Sequence, residues 1–102
     1  MEHLVRRTGI VDRQKAQELL RKEGYGNLYL WSDPPETFYD WHTHPFDEVR
    51  FVLDGEILIG TEEGEVLLRP GDLLVVPAGT RHWAKVGPKG VSYLCGTKLT
   101  EP

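Results

Sequence analysis

The chain has 102 residues, 39% of them hydrophobic and 27% charged, which is the size and make-up of one globular domain with a modest core. Its 11 Gly and 7 Pro favour many turns over long helices, and a formal charge of -4 with a pI near 5.5 argues against a surface that tracks nucleic-acid phosphates. Cys95 is the only cysteine, so no internal disulfide can form. There is no signal-peptide pattern and no apolar run of about 18 residues, so the expectation is a cytoplasmic protein without membrane or nucleic-acid partners.

Residues 1–11 read as a tail or an edge strand, and His3 there has no spaced partner. From Asp12 to Glu23 the pattern becomes helical. Asp12 can cap the first turn, Ala16, Leu19 and Leu20 make a short apolar stripe, and Gly24 is a natural stop. This is the one helix expected, placed over a barrel edge or against a second subunit. The expected division is an N-terminal arm and helix over 1–26 and a barrel over 27–97.

After Gly26 the chain reads as about eight short strands separated by turns. They are Leu28 to Trp31, Thr37 to His44, Glu48 to Leu53, Glu56 to Thr61, Glu65 to Arg69, Asp72 to Val76, His82 to Val86 and Val91 to Thr97. Asp54-Gly55 signals a hairpin between the third and fourth, and Gly87-Pro88-Lys89-Gly90 a turn between the last two. The fold class is therefore all-β, a sandwich or barrel with one short helix.

The chemistry concentrates between His42 and His82. His42 and His44 stand two apart, which on an extended strand puts both imidazoles on one face, and Glu48 follows shortly after. His82 comes from a separate strand, after Pro77 and Gly79. Neutral imidazole and carboxylate suit one divalent transition metal, whether Fe, Ni, Mn, Zn, Co or Cu. Three His and one Glu cancel only one of its two charges. Four protein ligands around an octahedral ion leave two places for water or substrate, unlike a closed structural zinc site.

The order H-x-H, E and G at His42, His44, Glu48 and Gly55, followed by G, P-x-G and H at Gly71, Pro77, Gly79 and His82, resembles both signature motifs of the cupin superfamily. Val86 stands where the second motif commonly ends in Asn. The resemblance implies a double-stranded β-helix, the jelly-roll cupin barrel, with His42, His44, Glu48 and His82 as its metal ligands. Within the cupins, Asp47 to Gly55 and Pro77 to His82 are similar to the core of acireductone dioxygenases. That likeness implies iron or nickel at the matching ligands and places Arg50 beside the substrate. Ala84 stands where those enzymes carry an aromatic residue, and they are considerably longer.

If Glu48 points inward, so do Arg50 and Val52, while Val49, Phe51 and Leu53 face the other side. An inward arginine is costly unless paired, so Arg50 either bridges an acid or anchors an anionic substrate. The outward apolar face needs cover, and a partner subunit is the expected source, making the protein a homodimer. Trp41 and Trp83 adjoin ligands and should face away from them, Tyr39 shares the parity of neither His42 nor His44 and reads as structural, and Cys95 reads as a small buried residue. Phe46 and Asp47 lie where a loop could touch a ligand. The functional expectation is a metal-dependent dioxygenase acting on a small oxygen-rich or enolic anion. A non-catalytic module binding a small ligand or metal, and a metal-dependent isomerase or decarboxylase, stand beside it.

Overall fold

The computed structural model describes residues 2–99. A 3-10 turn at Glu2–Leu4 leads into β1 (Val5–Arg7), followed by α1 (Arg13–Lys22), β2 (Tyr25–Asp33), β3 (Phe38–His42), β4 (Glu48–Thr61), β5 (Gly64–Leu68), β6 (Asp72–Val76) and β7 (His82–Lys98). The helix begins where its cap predicts: the Asp12 side chain accepts the Lys15 N–H at 2.9 Å. It ends at Glu23, and Gly24 follows with φ of 92°, a left-handed conformation that costs glycine little.

Two long strands organise everything else. β4 and β7 run antiparallel along nearly their whole length, from Glu48 opposite Thr97 to Thr61 opposite His82. Both bend midway, so each contributes to two sheets. The first half of β4 and the second half of β7 lie in one sheet with the order β1-β6-β4-β7-β2. The second half of β4 and the first half of β7 lie in the facing sheet, flanked by β5 and β3. This is an all-β jelly roll with one short helix.

Two expected turns are therefore bends inside continuous strands. Asp54-Gly55 does not close a hairpin: the β4–β7 register slips between Val52 and Asp54 and again between Gly55 and Ile57, which marks bulges. Gly55, at φ 71°, uses its freedom to bring backbones together, since a Cβ there would lie 2.1 Å from the Gly90 carbonyl oxygen. Gly87 to Gly90 form the matching kink in β7. The expected strand pairs 48–53 with 56–61 and 82–86 with 91–97 are each one strand.

A second correction concerns the outer face of β4. Val49 and Phe51 are fully buried, but the cover is α1 of the same chain, with Ala16 and Leu20 seated against Val49, Phe51, Leu73 and Leu94. No second subunit is needed there, because the helix stripe already leaves Val49 and Phe51 without exposure. The helix consequently sits on the back of a sheet rather than over a barrel edge. Between the sheets lies a separate cluster built on Val52, Ile57, Ile59, Leu68, Leu74 and Val86. One end of that space is filled by side chains; the other is open. Among the described residues, no helix is long and apolar enough to cross a membrane.

Candidate metal centre

His42 is the last residue of β3 and stands opposite His82, the first residue of β7. Their rings lie 4.2 Å apart between centroids, and the His44 ring lies 5.0 Å from His42 and 5.2 Å from His82. A ring nitrogen from each of the three falls within 4.8 Å of the other two. Three imidazoles from two strands and a loop thus meet at one point, as the H-x-H and the distant His predict.

Their orientation is enforced by backbone. His42 Nδ1 lies 2.6 Å from the Asp40 carbonyl and His82 Nδ1 lies 2.9 Å from the Thr80 carbonyl. A carbonyl oxygen only accepts, so each Nδ1 carries the proton and the neutral ring keeps its lone pair on Nε2. His44 sits in the loop after β3, which is tied down by the Gly79 N–H donating to the His44 carbonyl at 2.9 Å and by the Ala78 N–H donating to the Asp47 carboxylate at 2.8 Å. Asp47 is a brace for the ligand loop. The Pro77 to Thr80 turn therefore positions two of the three imidazoles, one through its own carbonyl and one through the loop it holds.

His44 Nε2 is buried without a hydrogen-bond partner. An unpaired polar atom at this depth is costly, and a ligand nitrogen without its ion leaves this signature. Burial also pushes the His44 and His82 pKa values below the ordinary imidazole value, the His44 shift being opposed by nearby Glu48 and the His82 shift by its bond to Thr80. Neutral imidazole is the metal-binding form, so the donor set fits a borderline divalent cation.

Glu48 lies beside this cluster. Its Oε2 is 3.6 Å from His44 Nδ1, while its Oε1 accepts from Arg50 Nη2 at 2.8 Å. Both side chains are more than four-fifths buried. Parity along β4 places Arg50 inward, as expected, and of the two readings left open for it the structure supplies the acid partner.

The imidazoles and Arg50 form the polar part of a cavity of about 490 Å³. Apart from Asp40 its other walls are largely apolar, including Ile57, Ile59, Val76, Tyr93 and Cys95. Tyr39 also lines it, contrary to its structural reading: a bulge between Tyr39 and His42 restores both to the inner face. Cys95 is 3% exposed, and burial raises its pKa, so the thiol is an inert part of the wall. Trp41 and Trp83 do face away, one under the Arg81 guanidinium and the other against Phe38 and Gly60. Phe46 is exposed and is not a lining residue of this cavity. The sequence reading missed Tyr29, Trp31 and Tyr93, although each stands two residues from another lining or ligand-facing position on its own strand.

Residues 29–95 match the family model described as Cupin domain, about two thirds of the chain. The chain belongs to the cupin family. It is 50% identical over 54 residues to the acireductone dioxygenase of Synechococcus sp., a match covering 49% of this chain and 29% of that protein. It is 39% identical over 84 residues to the acireductone dioxygenase of Alcanivorax borkumensis, covering 70% of this chain and 46% of that one. The chain thus spans less than half the length of these curated relatives. Among solved structures, a cupin superfamily protein from Desulfitobacterium hafniense superposes with a TM-score of 0.64 at 25% identity, covering 72% of this chain and 66% of the other. This cupin therefore combines a jelly-roll barrel, a three-histidine cluster able to hold a divalent metal, and a cavity sized for a small molecule.

Proposed function

We propose that this cupin is a metal-dependent enzyme of dioxygenase type acting on a small oxygen-rich or enolic anion. His42, His44 and His82, with Glu48 as fourth ligand, hold one divalent transition metal, and Arg50 is the counter-charge for the substrate. The single observation that carries the reading is the convergence of three imidazoles around a buried, unpartnered His44 Nε2 at the polar end of the cavity. The acireductone dioxygenase relatives support the reaction class.

A divalent metal bound there supplies Lewis acidity and an anchoring point for substrate oxygens. The protein's own groups do the rest. The Asp40 and Thr80 carbonyls hold two imidazoles in the ligating tautomer. The Glu48–Arg50 pair keeps a guanidinium within the cavity wall, where an anionic substrate can share it. Once a ligand fills the cavity, the apolar walls keep bulk water away and strengthen these interactions.

The test is elemental mass spectrometry on protein purified without an affinity tag, together with oxygen uptake on a small enediol. Near-stoichiometric iron, nickel or manganese, lost in His82→Ala, and oxygen consumed with the enediol are the expected results. Metal without oxygen uptake would turn the reading toward an isomerase, a decarboxylase or a binding module. Protein that holds no metal after reconstitution would overturn it.

A further inference from the structure

The three imidazoles and Arg50 account for one end of the cavity; the other end has its own construction. Tyr29 and Trp31 alternate along β2 and both line the cavity, yet they are 51% and 46% exposed. Asp40, on β3, is the third exposed lining residue. The exposed lining positions thus mark the opening, and it lies between β2 and β3. These are the edge strands on one side of the two sheets, both paired to β7. Neither Tyr29 nor Trp31 is needed to fill the core, which is complete without them.

What holds the Trp31 ring, and with it Tyr39, is Asp33, at the end of β2. It is 9% exposed, and its Oδ1 accepts both the Trp31 indole N–H at 2.9 Å and the Tyr39 hydroxyl at 2.7 Å. Its Oδ2 lies 3.5 Å from the Tyr93 hydroxyl. The donors come from β2, β3 and β7, and all three side chains are cavity walls. A carboxylate buried at the corner between two strands needs donors, but a backbone N–H or a serine would satisfy it as well. Here the donors are aromatic residues, and the bond from Trp31 restrains its indole, which is part of the exposed lining at the opening.

Size points the same way. At roughly 30 Å³ per water, the cavity has room for about sixteen, far more than a head group bound at the imidazoles displaces. Along apolar walls such waters have few partners and are displaced favourably by an apolar group.

We propose that Asp33 is a positioning residue that fixes Trp31 and Tyr39 as adjoining walls at the cavity mouth, and that this mouth selects ligands whose anionic head carries a flat apolar tail. The head-group half rests on the metal reading above. The mouth does not, since its parts are the protein's own.

Two probes with the same head separate the halves: acetohydroxamate and benzohydroxamate, both able to chelate a metal, titrated by calorimetry and by the indole N–H signals in NMR. Metal content is measured on the same samples, and the Trp31 signal is identified by its loss in Trp31→Leu. Benzohydroxamate is expected to bind at least tenfold more tightly than acetohydroxamate and to shift the Trp31 signal. Asp33→Ala, which removes the acceptor of both bonds, and Trp31→Leu should shrink that ratio to within about threefold while acetohydroxamate affinity holds. Tyr39→Phe, which keeps the ring and removes one bond to Asp33, should shrink it partly and guards against an Asp33 variant that fails to fold. If the protein holds no metal, benzohydroxamate alone should still move the Trp31 signal at millimolar concentration; that result would sink the metal reading and keep the mouth. Equal affinities in the unmodified protein, a Trp31 signal that neither probe moves, or an unchanged ratio in a folded Asp33→Ala protein would each overturn the proposal.

Discussion

The two faces of the first half of β4 do opposite things with the same backbone. Outward, Val49 and Phe51 have no exposure and pack against Ala16 and Leu20 of the helix, leaving no room for solvent. Inward, Glu48 and Arg50 are polar and paired with each other, and Arg50 lines an open cavity. Alternation lets six consecutive residues serve a dry core and a wet site at once. The difference teaches how stability and chemistry can be divided between two faces: the helix side is a dry contact that holds the sheet, so the cavity side can carry buried polar groups.

If the faces are separable, damage to one should spare the other. Phe51→Ala has the largest expected effect, a loss of about 3–5 kcal/mol from a cavity in the fully buried outer cluster. Metal bound per folded molecule should stay unchanged, and chemical denaturation combined with elemental analysis checks both. A fall in metal stoichiometry in the folded fraction would mean that the faces are coupled.

Arg50→Ala comes next. It leaves the Glu48 carboxylate without its partner, at a cost of about 1–3 kcal/mol, limited because cavity water can reach the site. Anionic ligands should weaken while metal stays bound. A collapse of stability with ligand affinity intact would assign Arg50 a structural role only.

Asp12→Ala tests how far the helix acts as cover. Losing the cap to Lys15 should cost about 1 kcal/mol in thermal or denaturant unfolding and leave ligand binding alone. The gentlest probe is pH. Burial holds the His44 and His82 pKa values below those of the unfolded chain, so as pH falls below about 6.5 the unfolded state takes up protons the folded state refuses. The contribution is fully present above pH 6.5 and is lost on acidification. Metal-free protein should therefore show a lower melting temperature at pH 5.5 than at pH 7.5, with a smaller drop in His82→Ala. An identical drop in both would remove these imidazoles as the cause.

Much of this molecule can be read from its residues. The cap at Asp12, the stop at Gly24 and the stripe of Ala16 and Leu20 define a helix through local bonds alone. The pairing of His42 and His44 with a later His82 announces a ligand cluster because imidazoles at that spacing have little else to do together. Parity places Arg50 inward over a few residues. Over longer stretches the same rule fails, and the bulges are the reason. Inward positions are even-numbered at Arg50 and Val52 but odd-numbered at Ile57 and Ile59, and they change from even to odd along β7 between His82 and Cys95. One extra residue reverses every side chain beyond it.

The residues by themselves determined the strand-forming segments, the helix and the identity of the converging imidazoles, since these follow from propensity, capping and donor chemistry within a few positions. Only the tertiary structure decided that Gly55 and Gly90 bend two continuous strands, that α1 covers Phe51, that Arg50 pairs with Glu48, and that Asp33 gathers Trp31 and Tyr39 at the cavity mouth. Glycine permits a hairpin and a bulge alike, and an apolar face accepts any complementary cover. Which alternative forms depends on backbones and side chains far apart in the chain, and their meeting is a property of the folded whole.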